Sequence, residues 1–418
     1  MPSFTVWDAR QLPRDGSRRQ RYDGNPAWAR TITEGEIVRR DFSRERDLIR
    51  QGKACVTLIG VMLYVVVFCK LGTGAEPLKP LRGRALRPGD TILVVAPART
   101  PDEARISRAK ARLVELGFNV VIPTNLFRKN GYLAGTDQQR ADELMSAFAD
   151  KDIDAIFAAT GGFGTTRLLD LLDYDVIRKN PKVFIGYSDI TGLHTAINEK
   201  TGLITFHGPN LDSGSGPDTR LNQFSSHWRM RAILQASYAS GGDGYVLKPF
   251  GFPMGDGMEF TAADFETTCN LDPPVVIHAG RATGKLVGGN LSLITALMGT
   301  PYEVQTRGNI LFLEDIGEAP YRVDRMLSTL KLAGKLKEVS GVVLGTFTDR
   351  DDQDRSLPGQ SVNEVLESYF KGLGVPVLNG FPAGHHACNA TLPIGAQCRI
   401  DSESSSLMLI EPPVLLEN

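Results

Sequence analysis

VFIGYSDITG, residues 183–192, is the stretch whose reading decides the fold. An unbroken apolar run (Val183, Phe184, Ile185) ends at Gly186, and a helix-compatible segment begins near Asp189, so a buried strand turns into a helix with Ser188 between them. A tight turn of this kind lifts its apex side chain clear of the sheet. The backbone N–H of Asp189 then points the same way, at a helix N-terminus that favours negative charge. Gly186-Tyr187-Ser188 matches only part of the G-x-S-x-G pattern, because Ile190 stands at the second glycine position. A serine that merely caps the next helix fits equally well, so the rest of the chain has to decide.

Working outward, residues 91–96 form a continuous apolar run suited to a central parallel strand. Residues 102–116 follow with Ile106, Ala109, Leu113 and Leu116 at helical spacing. The pattern continues with strands at 119–122 and 154–159 and helices at 141–149 and 165–172. Strands alternating with helices predict an α/β fold with a parallel sheet covered on both faces. Ligands of such sheets bind beyond the carboxyl ends of the strands, where Gly161-Gly162 and Ser188 both fall. We read residues 81–210 as an N-terminal α/β domain and 211–274 as a loop-rich connection with a helix-like piece at 228–235. Residues 275–418 then form a C-terminal domain with strands at 310–313, 342–344 and 397–400 and helices at 291–298, 321–332 and 362–370.

The chain has 418 residues, 42% hydrophobic and 23% charged, enough for two domains with sizeable cores. Its formal net charge of −1 argues against a nucleic-acid binder, which needs an excess of Lys and Arg to displace counterions. The five cysteines contain no CxxC pair, so a structural zinc site is not expected. Cys388 and Cys398 flank a turn and form a candidate bridge in an exported domain, with Cys269 left over; the sequence does not decide this. Residues 1–53 are rich in Arg and lack apolar periodicity, reading as a basic, disordered extension. Residues 54–69, ACVTLIGVMLYVVVFC, carry no charge, follow Arg50 and Lys53 and precede Gly72-Thr73-Gly74-Ala75. They read as a signal-peptide core or short membrane anchor within an apolar segment 54–75. A periplasmic or inner-membrane-anchored protein is thus expected, with a cytoplasmic one as the alternative.

Two elements of the C-terminal region supply partners for Ser188. Glu314 ends the apolar run at 309–313 and is followed by Asp315, and Gly384-His385-His386 lies in a turn-rich segment after Pro382. Serine is a weak nucleophile at neutral pH, so an imidazole must take its proton and later return it to the leaving amine. A carboxylate behind the imidazole selects its tautomer and stabilises the cation. Gly161-Gly162-Phe163-Gly164 lacks the Lys-Ser/Thr of a phosphate loop. It is better suited to bring the Gly162 N–H to a peptide oxyanion, completing with Asp189 an oxyanion hole worth about 3 kcal/mol per donor. His194 and His207 could line this site or be structural, and Arg167 and Asp170 share one face of the expected helix as an ion pair.

Four segments carry a resemblance that spans residues 88–401: GGFGTTRLLDLLDYDVIRKNPKVFIGYSDITGLHTAINEKTGLITFHGPN, GKLVGGNLSLITALMGTPYE, ILFLEDIGEAPYRVDRMLSTL and GFPAGHHACNATLPIGAQCRID. In this order they resemble the signatures of the LD-carboxypeptidase family, serine peptidases that include murein tetrapeptide carboxypeptidases and microcin C self-immunity peptidases. The resemblance implies a Ser188, Glu314 and His385 triad, a Rossmann-like N-terminal domain, a smaller β-rich C-terminal domain, an active site between them and a homodimer. It also implies the activity: a metal-independent serine carboxypeptidase that releases a C-terminal D-amino acid, such as D-alanine, from an L-configured neighbour in murein peptide. Thr160 departs from the family pattern, in which murein-acting members commonly have Arg before the double glycine. Cleavage of peptidyl or aminoacyl nucleotides, and from another class a non-catalytic exported solute-binding protein, are the competing readings.

Overall fold

The computed structural model describes residues 78–213, 219–234, 245–249, 252–253, 259–348 and 359–417. The basic extension 1–53 and the apolar segment 54–75 lie outside these residues. Residues 77–418 cluster as one compact unit.

Five parallel strands build the first sheet: β1 (Thr91–Val95), β2 (Asn119–Val121), β3 (Ala155–Ala158), β4 (Val183–Gly186) and β5 (Thr205–His207). Their order is β5-β4-β3-β1-β2, a doubly wound arrangement whose strand order reverses between β1 and β3. Every residue of β3 and β4 is buried, as continuous apolar runs require when both faces are covered. Of the covering helices, α1 (Glu103–Glu115), α2 (Asp137–Ala149) and α3 (Tyr174–Lys179) start at side-chain caps, whereas α4 (Thr191–Thr201) has none and continues from the 3₁₀ turn Ser188–Ile190. Asp102 accepts from the Arg105 N–H to open α1, and Thr136 with Gln139 forms a capping box on α2.

The helix expected over 165–172 is instead two short 3₁₀ turns, Thr165–Arg167 and Leu169–Leu171. The Asp189 carboxylate takes the Thr165 N–H at 2.9 Å and fixes the start of the segment, while Leu168 and Leu169 are both drawn into the core. Arg167 and Asp170 consequently do not pair with each other. Arg167 bonds Asp137 (2.8 Å) and Asp170 accepts from the Tyr302 hydroxyl (2.7 Å).

Residues 211–274 hold more structure than a loop-rich connection. Helix α5 (Thr219–Ile233) buries Phe224 and Trp228 completely, and β6 (Tyr245–Leu247) joins the second sheet; a two-stranded ribbon, β7 (Phe252–Pro253) with β8 (Glu259–Phe260), follows. The second sheet is completed by β9 (Val275–His278), β10 (Arg281–Asn290), β11 (Ile310–Ile316), β12 (Gly341–Thr348), β13 (Val377–Gly384), β15 (Gln397–Asp401) and β16 (Ser406–Leu409), in the order β6-β16-β15-β10-β11-β12-β13-β9. β10 to β13 are mutually parallel and the remaining pairings antiparallel. Helices α6 (Leu291–Ala296), α7 (Pro320–Leu332) and α8 (Val362–Phe370) accompany it, the last opened by a Ser361–Glu364 capping box.

The two sheets are tied together. β14 (Leu392–Ile394), between two strands of the second sheet in sequence, pairs antiparallel with β5 at the edge of the first. The Asn290 N–H at the end of β10 donates to the Thr191 hydroxyl at the start of α4 (3.0 Å). The candidate Cys388–Cys398 bridge is not made. Cys388 pairs with Cys269, their Cα atoms 5.4 Å apart, and Cys398 is a buried free thiol on β15. Strand β15 carries Cys398 into the core, whereas Cys388 lies in the loop that leaves β13 and meets the short helical turn Phe265–Cys269.

Candidate active site

Strand ends from both sheets converge on one place. Arg99 follows β1, Gly161 and Gly162 follow β3, Ser188 follows β4 and His207 ends β5. From the second sheet, Glu314 lies within β11 and His385 directly follows β13.

Ser188 adopts φ 67°, one of three non-glycine residues with positive φ among those described. A backbone of this kind costs on the order of 1–3 kcal/mol and persists only where its surroundings over-determine it. Asn210 supplies part of that clamp: its Oδ1 accepts from the Tyr187 N–H at 3.0 Å and its Nδ2 donates to the Tyr187 carbonyl at 3.4 Å. Gly161 supplies space, since a Cβ there would lie 2.9 Å from the Ser188 Cβ. Asp189 turns its side chain inward to Thr165, leaving its backbone at the first turn of the helix, where N–H groups have no intrahelical acceptor.

The Ser188 hydroxyl reaches His385 Nε2 at 2.8 Å, and His385 Nδ1 is 2.6 Å from Glu314 Oε2. The His385 backbone N–H also donates to Glu314 Oε2 (3.2 Å). Sequence reasoning put Glu314 at a strand terminus; it sits inside β11, fully buried, where the pairing with β12 shifts register between Leu313 and Asp315. A bulge re-aims the side chain it carries. Gly384, at φ 118°, lets β13 approach, because a Cβ there would come within 2.6 Å of Glu314 Oε2. Burial acts to raise the Glu314 carboxyl, but the imidazoles of His207 and His385 outweigh it and hold the group at about 2. It is ionised at neutral pH. The neighbouring Asp315 turns away to Asn290 Nδ2 (2.9 Å) and the Ser292 N–H (2.9 Å) and hydroxyl (2.8 Å).

The loop bearing His385 is held from several sides. The Asn389 side chain accepts from the Gly384 N–H (3.0 Å), and Ser225 of α5 donates to the Ala387 carbonyl while accepting from the Asn389 N–H, both at 3.0 Å. The Tyr187 ring lies 4.8 Å from the His385 ring. His386, the alternative in sequence register, makes no hydrogen bond to Ser188 or Glu314, and burial lowers its basicity. His194 is completely buried with its basicity pushed down to about 3 by burial, and its Nε2 donates to the Gly186 carbonyl at 2.8 Å, a structural role.

Sequence reasoning missed Arg99, Tyr187, Asn210 and Asp212. The stem of Arg99 covers Gly162, whose hypothetical Cβ would lie 2.7 Å from Arg99 Cδ, and its guanidinium stands 3.7 Å from the Asp212 carboxylate. The signal available was position: Arg99 lies just beyond β1, at the reversal of strand order. Among the described residues no cluster of His, Cys, Asp and Glu suited to a metal ion occurs.

Residues 92–208 match the LD-carboxypeptidase N-terminal domain and residues 283–400 the LD-carboxypeptidase C-terminal domain. The probable murein peptide carboxypeptidase of Bacillus subtilis is 39% identical over 328 residues, 78% of this chain and 93% of that protein. Among solved structures, the microcin C7 self-immunity protein MccF in complex with glutamyl sulfamoyl guanosine superposes with a TM-score of 0.68 at 28% identity, covering 80% of this chain and 100% of that one. The muramoyltetrapeptide carboxypeptidase from Oxalobacter formigenes does so with a TM-score of 0.59 at 28% identity, covering 76% and 97%. With both of its domains matched, and a relative aligned along nearly its whole length, the chain belongs to the LD-carboxypeptidase family of serine peptidases.

Proposed function

We propose that this protein removes a C-terminal D-amino acid, D-alanine in murein tetrapeptide, from its L-configured neighbour, with Ser188 as nucleophile. The observation that carries the reading is the unbroken hydrogen-bond chain Ser188–His385–Glu314. Ser188 Oγ attacks the amide carbonyl while its proton passes to His385 Nε2. The N–H groups of Asp189 and Gly162 take the charge developing on the carbonyl oxygen. Glu314 accepts from Nδ1–H and stabilises the imidazolium. Collapse of the tetrahedral species breaks the C–N bond as His385 returns the proton to the departing amine. Water, deprotonated by the same imidazole, then hydrolyses the acyl-enzyme and frees Ser188.

A carboxypeptidase also has to hold a free carboxylate. Arg99 is suited to it: half-exposed, adjacent to Gly162, and engaged only at 3.7 Å by Asp212. This supports an arginine anchor reached from β1 in a chain that has Thr160 before its double glycine.

A second reading has its own support. Tyr132 and Phe163 form an exposed edge-to-face pair, 5.8 Å between centroids, one residue beyond Gly162. Such a pair is a surface on which a nucleobase stacks, and a relative was solved with a nucleotide-like ligand. D-alanine release from murein tetrapeptide, measured beside hydrolysis of a peptidyl nucleotide, separates the two. Faster turnover of the tetrapeptide supports the first reading and the reverse supports the second. A solute-binding protein without chemistry would turn over neither.

Export and assembly belong to the same proposal. The Cys269–Cys388 bridge favours an oxidising compartment. Among the described residues no helix is long and apolar enough to cross a membrane, so any anchor rests on 54–69. N-terminal sequencing of the mature chain tests that segment, and sedimentation tests the homodimer.

A further inference from the structure

Glu314 has two carboxylate oxygens, and its contacts with His385 use one. Oε2 takes both His385 contacts, while Oε1 is buried without a hydrogen-bond partner. Facing Oε1 at 3.6 Å is Nε2 of His207, a fully buried imidazole with no hydrogen bond at either nitrogen. A buried anionic oxygen and a buried imidazole left unpaired opposite each other are costly, and native interiors almost always satisfy such groups. Catalytic contacts of this length commonly tighten in the substrate complex.

The scaffold keeps His207 in place. It ends β5, paired with Gly186 of β4 on one side and Leu392 of β14 on the other. Its ring packs edge-on against Phe312 (5.1 Å), two residues before Glu314 on β11, and against Tyr187 (6.0 Å). The titratable groups facing it are Glu314 from β11, Tyr187 from the turn after β4 and His194 from α4 at 6.2 Å. His385 is reached through Glu314. His194 is already committed to the Gly186 carbonyl, so His207 is left to serve Glu314.

We propose that His207 is a positioning residue: its Nε2–H donates to Glu314 Oε1, fixes the plane of the carboxylate and takes a share of its charge that would otherwise fall on His385. This rests on the Ser188–His385–Glu314 reading. Removing the donor leaves the full carboxylate charge on His385 and raises its affinity for a proton. Because the base must be neutral to accept from Ser188, the acid limb of the kcat/KM profile then moves to higher pH.

The test compares His207→Phe, which keeps a ring without a donor, with His207→Gln, which keeps a donor without the ring. D-alanine release is followed against pH alongside thermal melts. We expect His207→Phe to lower kcat about 10- to 100-fold with KM within twofold, as for a small misplacement of catalytic groups, and to move the acid limb upward. His207→Gln should recover activity to within about fivefold of the parent with the limb near its original position. Parent-like kcat in His207→Phe, or equal losses in both variants with an unmoved limb, overturns the proposal. Should His207→Phe fail to fold, His207→Gln decides alone: a loss beyond about 30-fold in a folded protein counts against it, and near-parent activity supports it. Ser188→Ala is run in parallel. If it matches the parent, the triad reading has failed; if it is inactive while His207→Phe is parent-like, only the role of His207 has.

Discussion

The two sheets contribute to the site by different physics. The first holds Ser188 through backbone: a positive φ, a glycine that leaves room and an asparagine clamped on the preceding peptide. The second holds Glu314 and His385 through charge and burial, with a bulge and Gly384 bringing a fully buried carboxylate against an imidazole. A strained turn held by its neighbours fails when a side chain is added beside it. A buried ion network is specified non-locally and fails when protons or charges change. Variants can therefore be chosen that damage one half and spare the other.

The largest expected effects come from removing one member of either half. Ser188→Ala and His385→Ala should each lower kcat by about 10⁴-fold or more, and the double variant should lose little further, because residues acting as a unit are not additive. Multiplicative losses in the double variant would show that the halves act independently.

Acid should narrow the gap between the parent and a variant of the second half. The folded Glu314 carboxyl sits near 2 against 4.5 in its ordinary state, so its stabilisation is fully present above about pH 4.5 and is lost as pH falls toward 2. For a buried group this is on the order of 3 kcal/mol. The difference in urea midpoint between the parent and Glu314→Gln should shrink over that window. His194, held near 3 against 6.5, adds a loss common to both proteins that begins below about pH 6.5 and ends near 3. A parent–variant difference independent of pH would contradict the account.

Gly384→Ala places a methyl group 2.6 Å from Glu314 Oε2 on a backbone with φ 118°. It should cost about 100-fold in kcat/KM while labelling of the Ser188 turn in hydrogen exchange stays as in the parent. Protection lost equally around Ser188 would mean that the two halves are one mechanical unit. The smallest effect is expected from Arg99→Ala: KM for the free-acid substrate should rise about tenfold, the worth of a charge-assisted contact, with turnover of the C-terminal amide unchanged. Equal losses on acid and amide would remove Arg99 as the carboxylate anchor.

What the sequence made legible follows the same division. Residues 183–192 announce a strand, a turn and a helix, because burial and turn chemistry are local there, and β1, β3, α7 and α8 follow from apolar periodicity. Strands β10 and β13 were invisible as strands: Gly284, Gly288 and Gly289 interrupt the first, and Gly380, Pro382 and Gly384 make the second read as a turn. Among them, Gly384 permits the close approach to Glu314 that the site needs, and Gly289 the approach to Thr191 at the start of α4. The partners of Ser188 were narrowed to Glu314 and His385 by resemblance to a family, since residues 126 and 197 positions away leave no periodic trace. Arg99 was missed because an arginine after a strand looks like any solvated loop cation until the strand order is known. The cysteine pairing was likewise beyond reach: Cys269 and Cys388 are 119 residues apart, and only the fold brings them together.

The central claim is that the Ser188 hydroxyl is activated by His385 across the two sheets. Intact-mass and peptide-level analysis after exposure to a fluorophosphonate probe tests it directly. The account predicts a single adduct on Ser188, absent in Ser188→Ala and slowed at least about 1,000-fold in His385→Ala, as expected for loss of a general base. Adduct formation that proceeds at the parent rate in His385→Ala, or that persists in Ser188→Ala, would contradict it.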